Sequence, residues 1–310
     1  MSERAPLVSI GMPVNNGERF ISQALDSLLA QTHGNFELII SDNASTDATG
    51  NICKEYSAKD KRIRYHRNDE NRGAMANFGL VLGCARGEYF MWAASDDLWE
   101  PTYIERLLQS LLAAPNAVLA FSAFDNMDES GRQTRTYPHL FELPSEDLFT
   151  RLRRYMAQEE YLGKANLIYG LMQRSTIHKA GGFRVWGRGV WGMDMLVVFR
   201  LLSFGYLVLC PDLLFHKRLV PPLANSPQEQ VPISPIQRLA SLRSTLFDWH
   251  GYFSGYARII DGVDSLRFAE KMSLRATLWR RAGRIYSRRV KEAFPLPLMW
   301  RFPLRRGFPP

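Results

Sequence analysis

Two adjacent carboxylates, Asp96 and Asp97, follow the apolar run YFMWAA and precede a predicted helix. Two like charges side by side repel each other unless they are solvated, protonated or bridged by a cation. Oxygen-rich sites of this kind suit Mg²⁺ or Mn²⁺, which complete their coordination shells with water and substrate phosphates. The structural alternative is that Asp97 caps the helix beginning near Pro101 and that Asp96 is a solvated loop residue.

Two further stretches have the chemistry to bind an anionic or nucleotide ligand. Asp42 ends the apolar run FELIIS, where a carboxylate can accept hydrogen bonds from a nucleobase or a ribose. Arg72 lies in the sequence Asn-Arg-Gly at the start of a predicted helix, which is a fair anion site. Each stretch also has a structural alternative, because SDNASTD suits a strand–turn–helix cap and NRG suits a plain turn.

Asp194 is a candidate general base. It lies among apolar residues in VWGMDMLVVFRLL, near the start of a predicted helix, where partial burial raises a carboxyl pKa. The alternative is a carboxylate stabilised by the helix dipole. No serine or cysteine has the local context of a nucleophile. The absence of GxxxxGK[ST], and of GxGxxG after the first strand, argues against P-loop NTPases and dinucleotide oxidoreductases.

The predicted elements bring the aspartates that follow strands to one edge of a sheet. Apolar and β-branched runs predict strands at 7–12, 36–41, 62–66, 88–93 and 118–124, with helices at 17–31, 46–58, 73–85 and 101–113. This alternation is typical of an α/β fold with a mostly parallel sheet flanked by helices. Ligands of such sheets bind at the carboxyl ends of strands, where Asp42, Asp96 and Asp97 are expected.

The rest of the chain has a less regular pattern. It predicts loops over 125–165 around a helix at 145–156, a strand at 166–173, a helix at 191–204, and short strands at 206–209 and 213–215 separated by Pro211. Residues 1–220 form the predicted catalytic domain, 221–235 a proline-rich linker, and 236–310 a basic amphipathic helical extension. The prolines of the final stretch exclude regular helix there.

The positive charge of the chain is concentrated in this extension. Residues 1–220 contain 24 Lys and Arg against 25 Asp and Glu, whereas residues 221–310 contain 15 against 6. The extension interleaves arginine with tryptophan and phenylalanine, which suits an anionic membrane surface. The alternatives are helices packed on the catalytic domain with basic outer faces, and nucleic acid, which is not expected because no nucleic-acid module is recognisable.

Composition favours a reducing compartment. The three cysteines, Cys53, Cys84 and Cys210, match neither a zinc spacing nor a disulfide framework. The N-terminal stretch MSERAPLVSI lacks the apolar segment of a signal peptide, and the most apolar long segment, 195–211, is too short and too broken to span a membrane. A cytoplasmic protein is expected, either free or peripheral on the inner face of the membrane.

Several motifs in order carry a resemblance to a known family. VSIGMPVNNGERFISQALDSLLAQTHGNFELIISDNASTDAT, NRGAMANFG and ARGEYFMWAASDDLWEP closely resemble family 2 glycosyltransferases of the GT-A fold, and KAGGF and MDMLVVFRLLSFGY fit the same family. The resemblance covers about residues 6–218. It implies a Rossmann-like GT-A domain that transfers a sugar, with inversion, from a nucleotide-diphosphate donor to a sugar or lipid-linked sugar acceptor.

The resemblance also implies roles for individual residues. Asp194 matches the base that deprotonates the acceptor hydroxyl, Asp97 the ligand of a divalent Mn²⁺ or Mg²⁺, and Asp96 a residue near the ribose and the metal. The cation would offset charge on the leaving group. The expected nucleotide-binding residues are Pro13, Val14, Asn15, Asp42, Arg72 and Asp96.

Two departures from the family favour a second hypothesis, a catalytically inactive sugar-nucleotide-binding or scaffolding protein. Asn15 stands where the family usually has a tyrosine that stacks on the base, and Met193 stands where a glutamate often precedes the catalytic aspartate. The segment 215–218, FHKR, is expected either to contact the diphosphate or to form a solvated strand end. A nucleotidyltransferase, the third hypothesis, would need a glycine- and lysine-rich signature that GMPVNNGERF lacks.

Overall fold

The computed structural model describes residues 5–137, 147–186, 191–220 and 235–293, without the side chains of 235–238. Nine strands in these ranges form one sheet: β1 (Val8–Val14), β2 (Phe36–Asp42), β3 (Ile63–Arg67), β4 (Tyr89–Trp92), β5 (Leu98–Trp99), β6 (Ala117–Met127), β7 (Gln133–Tyr137), β8 (Leu171–Gln173) and β9 (Tyr206–Arg218). The helices are α1 (Ile21–Leu29), α2 (Thr49–Lys59), α3 (Ala74–Gly83), α4 (Tyr103–Ala113), α5 (Leu148–Ala157), α6 (Arg174–Lys179), α7 (Met193–Leu201), α8 (Pro235–Asp261) and α9 (Phe268–Ala293).

The sheet has the order β3-β2-β1-β4-β8-β6-β9-β5, and β7 pairs with β6. Strands β3, β2, β1 and β4 are parallel, as is the β6–β9 pair, whereas β8, β7 and β5 pair antiparallel. Almost every side chain of β1 and β2 is buried, because helices cover both faces of this half. The predicted α/β fold is confirmed, with a mixed sheet.

Strand β9 differs from the prediction of two strands separated by Pro211. It runs without a break from Tyr206 to Arg218 beside β6. Cys210 pairs with Ser122 and Leu213 pairs with Ala123, so Pro211 and Asp212 form an exposed bulge. Proline lacks the N–H that a sheet requires, and the bulge removes that requirement. The strand can therefore continue to its end, at residues 217–218.

Three further strands were predicted wrongly or missed, and the short helix α6 was also missed. The strand expected over 166–173 is wrong in its first part: Lys164–Tyr169 is a 3-10 helix, and only 171–173 pair in the sheet. The missed strand β7 is polar and four of its five residues are exposed, so it lacks an apolar pattern. The missed β5 has only two residues. The predicted helix at 145–156 begins after Asp147, whose carboxylate accepts the Thr150 N–H at 2.7 Å; residues 145–146 lie outside the described ranges.

The two C-terminal helices form a hairpin, α8–α9, that packs on α7 and α5. Its inner face buries Trp249, Tyr252, Phe253 and Tyr256 in the same apolar cluster as the sheet. The predicted linker, apart from Pro235, and residues 294–310 lie outside the described ranges. The division into a catalytic domain and an extension therefore stays a proposal. Within the described residues, every helix falls short of the length or the apolar content needed to cross a membrane.

Candidate active site

A cleft of about 640 Å³ opens at the carboxyl ends of β1 and β4. Its walls include Asn15 and Phe20 from the segment after β1, Asp96 from the segment after β4, and Phe78 of α3. A smaller cavity of about 170 Å³ shares Asn15 and Phe78 and extends to Asn43. Pro13 lines both cavities, and Val14 lines the smaller one. The cavities lie where a sheet of this kind binds its ligands.

The two adjacent aspartates have opposite environments. Asp96 lines the cleft, whereas Asp97 is fully buried. The Lys217 ammonium donates to both carboxylate oxygens of Asp97 at 3.0 and 3.1 Å, and the Arg218 N–H donates to one of them at 2.9 Å. The like charges are therefore compensated from within the protein, by a residue 120 positions further along the chain.

Burial and charge act against each other in this ion pair. Burial raises the pKa of Asp97 to about 6; the Lys217 ammonium and the Arg218 N–H lower it, and the Asp96 charge raises it further. Burial would lower the pKa of Lys217, but the neighbouring Tyr169, Asp97 and Asp96 raise it well above its ordinary value. The ammonium also lies 5.2 Å from the Tyr169 ring centroid. Lys217 is therefore charged at neutral pH, and it holds Asp97 in place.

Arg218 fixes the backbone that carries Asp96. Its Nε donates to the Asp96 carbonyl at 2.9 Å, its Nη1 to the Glu129 carbonyl at 2.9 Å and its Nη2 to the Gln23 side chain at 2.9 Å. The guanidinium also lies 4.4 Å from the Phe20 ring centroid. Arg218 is buried, so the alternative of a solvated strand end is wrong for this position.

Few side chains at this edge of the sheet could act as ligands of a cation. Among the described residues, no three His, Cys, Asp or Glu side chains are grouped so as to hold a metal ion. Asp96 offers a carboxylate to the cleft, and Mg²⁺ or Mn²⁺ bound by one carboxylate takes its other ligands from water and substrate phosphates. The residues fit a cation in that mode. Asp97 would join it only if Lys217 moved away, so its predicted ligand role stays a prediction.

Asp42 is bound on both of its oxygens within the protein. It is fully buried, Oδ1 accepts the Ser45 N–H at 2.8 Å, and Oδ2 accepts the Tyr65 hydroxyl and Arg67 Nη1 at 2.9 Å each. Burial would raise the pKa of Asp42, but these hydrogen bonds lower it below its ordinary value. The arrangement ties the turn after β2 to β3. A hydrogen bond from Asp42 to a base would require one of these partners to leave, and it stays a prediction.

Asn43, which the sequence reasoning missed, contacts the smaller cavity. Its Nδ2 donates to Asn71 Oδ1 at 2.7 Å, and its Oδ1 accepts from Asn68 Nδ2 at 3.0 Å and from the Arg72 N–H at 2.9 Å. Asn15 Nδ2 donates to the Asn43 carbonyl at 2.8 Å. The signal was a recurrence of asparagines at strand ends, each ordinary in a turn by itself.

Arg72 contributes its backbone to this network, while the residue as a whole is exposed. Its side chain is absent from the walls of both cavities. The predicted contact between the guanidinium and a diphosphate therefore stays a prediction.

Asp194 lies in the first turn of α7, partly buried, and its Oδ1 accepts the Met195 N–H at 2.8 Å. Burial raises the pKa of Asp194 to about 6, while this N–H and the charges of Lys217 and Lys164 lower it. Lys217 is therefore close enough to act on Asp194 as well as on Asp97. Asp97 and Asp194, about a hundred positions apart in the chain, therefore lie within electrostatic range of the same lysine, although Asp194 lines neither cavity.

The inner face of the hairpin holds the segment that carries Asp194. Gly192 has a φ of 74°, and a Cβ there would lie 2.6 Å from the Tyr252 ring. The Trp191 ring lies 4.5 Å from that of Trp249, centroid to centroid. On the other side, the Tyr155 hydroxyl donates to the carbonyl of the residue after Asp194 at 2.9 Å. The backbone on both sides of Asp194 is thus packed or hydrogen-bonded.

A buried polar network lies behind this segment. The Tyr252 hydroxyl donates to Glu160 Oε1 at 3.0 Å, and Arg281 of α9 donates to Glu160 Oε2 at 2.6 Å. Lys164 is fully buried, with its ammonium 4.2 Å from the Tyr155 ring centroid, and burial lowers its pKa to about 7. Residues of α8 and α9 therefore help to build the surroundings of α7.

Comparisons with known proteins agree with the fold. The model of glycosyl transferase family 2 matches residues 9–173. An uncharacterized glycosyltransferase of Haemophilus influenzae is 36% identical over 109 residues, which are 35% of this chain and 34% of the relative, so the match spans about a third of either protein.

Two solved structures share the architecture. S. aureus TarS 1-349 in complex with UDP-GlcNAc is 16% identical with a TM-score of 0.65, over 94% of this chain and 76% of that chain. The mannosyltransferase PcManGT from Pyrobaculum calidifontis, in complex with GDP-Man and Mn²⁺, is 16% identical with a TM-score of 0.52, over 95% and 89%. The predicted GT-A fold is confirmed.

Proposed function

The chain belongs to glycosyl transferase family 2, and we propose that it is an inverting enzyme that transfers a sugar from a nucleotide-diphosphate donor to an acceptor hydroxyl. One observation carries the proposal. Asp194, a carboxylate with a pKa raised to about 6, lies within electrostatic reach of Lys217, which in turn binds Asp97, the buried neighbour of the cleft residue Asp96. A base within electrostatic reach of the edge that would hold a diphosphate suits group transfer.

The donor would occupy the two adjoining cavities. We place the nucleobase in the smaller one, where the amides of Asn43 and Asn71 offer both donors and acceptors, and the diphosphate beside Asp96. TarS was solved with UDP-GlcNAc and PcManGT with GDP-Man, which supports a nucleotide-sugar donor for this chain. The amides would replace a tyrosine stack at Asn15 with edge-on hydrogen bonds.

Asp194 would act as the general base. A carboxyl with a pKa of about 6 is mostly ionised at neutral pH and is a stronger base than an ordinary aspartate. It takes the proton of the acceptor hydroxyl while the oxygen forms its bond to the anomeric carbon. The bond from that carbon to the diphosphate breaks, and the nucleoside diphosphate leaves with the electron pair. Attack opposite the leaving group inverts the anomeric centre.

Charge on the departing diphosphate must be neutralised. A divalent Mn²⁺ or Mg²⁺ supplies that neutralisation when bound, and Asp96 would hold it, with Asp97 as a second ligand once Lys217 is released. The Mn²⁺ in the PcManGT complex supports this proposal. Lys217 contributes a fixed positive charge at the same edge, and Arg218 keeps the Asp96 backbone in place.

The acceptor would be a sugar or a lipid-linked sugar, in the assembly of a polysaccharide or another glycan. The alternative function is a sugar-nucleotide-binding protein without turnover. Two observations favour it: Asp97 is held by Lys217 rather than open to a cation, and Asn15 cannot stack on a base as a tyrosine would.

The test separates binding from turnover. UDP, GDP and dTDP are titrated calorimetrically into the wild type and Asp194→Asn, with and without Mn²⁺, and the sugar nucleotides of the base that binds are then screened for transfer and hydrolysis. We expect one nucleotide to bind both proteins and only the wild type to turn over. Asp264→Asn, at an exposed carboxylate in the turn of the hairpin, is the matched control and should behave as the wild type.

Other outcomes decide between the two functions. Nucleotide binding without transfer or hydrolysis of any matching sugar nucleotide would support the inactive binding protein. Equal turnover by wild type and Asp194→Asn would remove Asp194 from the mechanism. Failure of all three nucleotides to bind would contradict both functions.

A further inference from the structure

Helix α9 carries a stripe of exposed apolar side chains along its outer side. Phe268 is 80% exposed, Met272 48%, Trp279 42% and Val290 43%. Their spacings of four, seven and eleven residues place them on one side of a helix, because each is close to a whole number of turns. At 1.5 Å per residue the stripe is about 33 Å long. Single exposed apolar residues are common on protein surfaces, so the alignment of these four on one side of the helix, rather than their number, suggests an apolar partner.

A basic stripe runs along the same helix, about 130° around its axis from the apolar one. Arg280, Arg284, Arg288 and Lys291 follow each other at spacings of four, four and three residues and line a shallow depression of about 750 Å³. Within the described residues, neither Arg284 nor Arg288 takes part in an ion pair, and Glu292, the acid nearest to them in sequence, pairs with Arg289 at 2.9 Å. The positive charge of this stripe is therefore available to a partner.

Helix α8 extends the same surface. Leu239 is 58% exposed and Phe247 53%, and both line a further depression of about 490 Å³ together with Arg243. The ring of His250 lies 6.4 Å from that of Trp279, centroid to centroid, which joins the exposed sides of the two helices. We call this combined surface the hairpin outer face: Leu239, Arg243 and Phe247 of α8, and the apolar and basic stripes of α9.

We propose that the hairpin outer face docks on an anionic lipid bilayer. Aromatic and aliphatic side chains would enter the interface between headgroups and acyl chains, and the arginines would lie at the level of the lipid phosphates. Residues 221–310 hold an excess of nine positive charges while residues 1–220 are almost neutral, so the attraction is directed to this end of the protein. The proposal rests on the proposed function only in that a lipid-linked acceptor would lie at the same surface.

An anionic bilayer fits both the apolar and the basic stripe better than nucleic acid does. Binding to a nucleic-acid backbone is carried by charge and has no use for Phe268, Met272 and Val290 standing in water beside the arginines. A second copy of this chain would bring a second basic stripe to the interface, and like charges would oppose its association. The combination of aliphatic, aromatic and basic side chains on the exposed part of one helix is typical of helices that lie in a membrane interface.

The first arm of the test measures the basic stripe. The full chain is sedimented with vesicles of phosphatidylcholine alone and of phosphatidylcholine with phosphatidylglycerol, at low and high NaCl concentration. We expect binding to the anionic vesicles only, weakened by salt. A basic residue near such a surface contributes about fivefold to the partition coefficient, so Arg280→Gln, Arg284→Gln and Arg288→Gln together should reduce it about a hundredfold.

The charge-matched control changes three exposed lysines at the other end of the molecule, Lys54, Lys59 and Lys61, to glutamine. It removes the same charge and should reduce binding less than about threefold, since these residues lie outside the docking surface. Equal losses in the two triple variants would overturn the proposal, because binding would then depend on net charge alone.

The second arm measures the apolar stripe. Phe268→Ser with Trp279→Ser should reduce binding at least about tenfold and leave nucleotide binding unchanged, whereas Leu112→Ser, at a 59% exposed leucine of α4, should have no effect. If the double variant binds vesicles as the wild type does, the surface is a general polyanion site, and heparin or RNA should then compete fully. A concentration-dependent dimer that the double variant abolishes would instead identify a second copy as the occupant. Vesicle binding needs no turnover, so the two proposals can fail separately. The protein could transfer sugar without binding vesicles, or bind vesicles without transferring sugar.

Discussion

Lys217→Met tests whether the protein itself compensates Asp97. Methionine keeps much of the length of the side chain but removes the ammonium, which lies 3.0 and 3.1 Å from the Asp97 oxygens. Asp97 is fully buried and would keep only the Arg218 N–H as a partner. Removing one member of a buried ion pair costs about 3–5 kcal/mol of unfolding free energy, because it leaves an uncompensated charge.

The loss should depend on pH in a defined direction. The pKa of Asp97 is already about 6, against an ordinary value of 3.8, and it rises further when Lys217 no longer lowers it. A carboxyl with a raised folded-state pKa stabilises the fold while protonated, and that contribution is lost as pH rises through the folded-state pKa. Each further unit of increase adds about 1.4 kcal/mol to the deficit at high pH. The deficit of the variant should therefore be largest near pH 8 and shrink toward pH 5.

Urea unfolding of both proteins at about pH 8 and about pH 5 measures these quantities. The double variant Lys217→Met/Asp97→Asn is the control, because a neutral amide needs no counter-charge and can still accept the Arg218 N–H. It should recover most of the loss at pH 8. A deficit below about 1 kcal/mol, or one that is equal at both pH values, would refute the buried ion pair as a source of stability.

Three further predictions concern the base, its support and the nucleobase cavity. The kcat should rise with pH through about 6, because only ionised Asp194 accepts a proton. Asp194→Asn should lower kcat at least about a hundredfold above that pH, and the deficit should shrink as pH falls below it, measured as a pH–rate profile. Gly192→Ala should lower both Tm and kcat, because its Cβ would lie 2.6 Å from the Tyr252 ring. The control is Gly131→Ala, where φ is a similar 84° but the space around the glycine is open. It should lower the unfolding free energy by only about 1 kcal/mol, measured by thermal unfolding, and leave kcat unchanged. Asn43→Ala should weaken nucleoside diphosphate binding about tenfold in calorimetry while kcat at saturation changes little, because the second Nδ2 hydrogen of Asn43 would be lost to the base and the amide network around the cavity would be broken.

The first half of the sheet was predictable because its strands are buried on both faces. Such strands appear in a sequence as short apolar runs between turn residues, and β1, β2, β3 and β4 lie within two residues of the predicted bounds. The same reasoning failed for β7, which is polar and exposed, and for the bulge at Pro211, which restores pairing after a residue that normally ends it. The exposure of a strand and its pairing register depend on the strands and helices packed against it. The local sequence pattern therefore does not predict them.

In the candidate site, too, local features were predicted from the sequence and contacts between distant residues were not. The sequence placed Asp96 and Asn15 at the ligand-binding edge, where they line the cleft, because strand ends are local features. It could not predict that Asp97 faces Lys217, since no periodicity links residues 120 positions apart. It likewise missed Asn43, whose significance comes from three amides that other strands and turns bring to it.

The pairing of β5 has a consequence for how the protein is synthesised. Among the described strands, β5 pairs with β9 alone, and Lys217 and Arg218 also come from β9. A ribosome adds about 5–20 residues per second, so Asp96 and Asp97 leave it roughly 6–24 s before the strand that anchors them. The nascent chain can close β1, β2, β3 and β4 in that interval, but its carboxylate pair has no counter-charge until β9 inserts beside β6. Synthesis order therefore makes the ligand-binding edge one of the last parts of the sheet to mature.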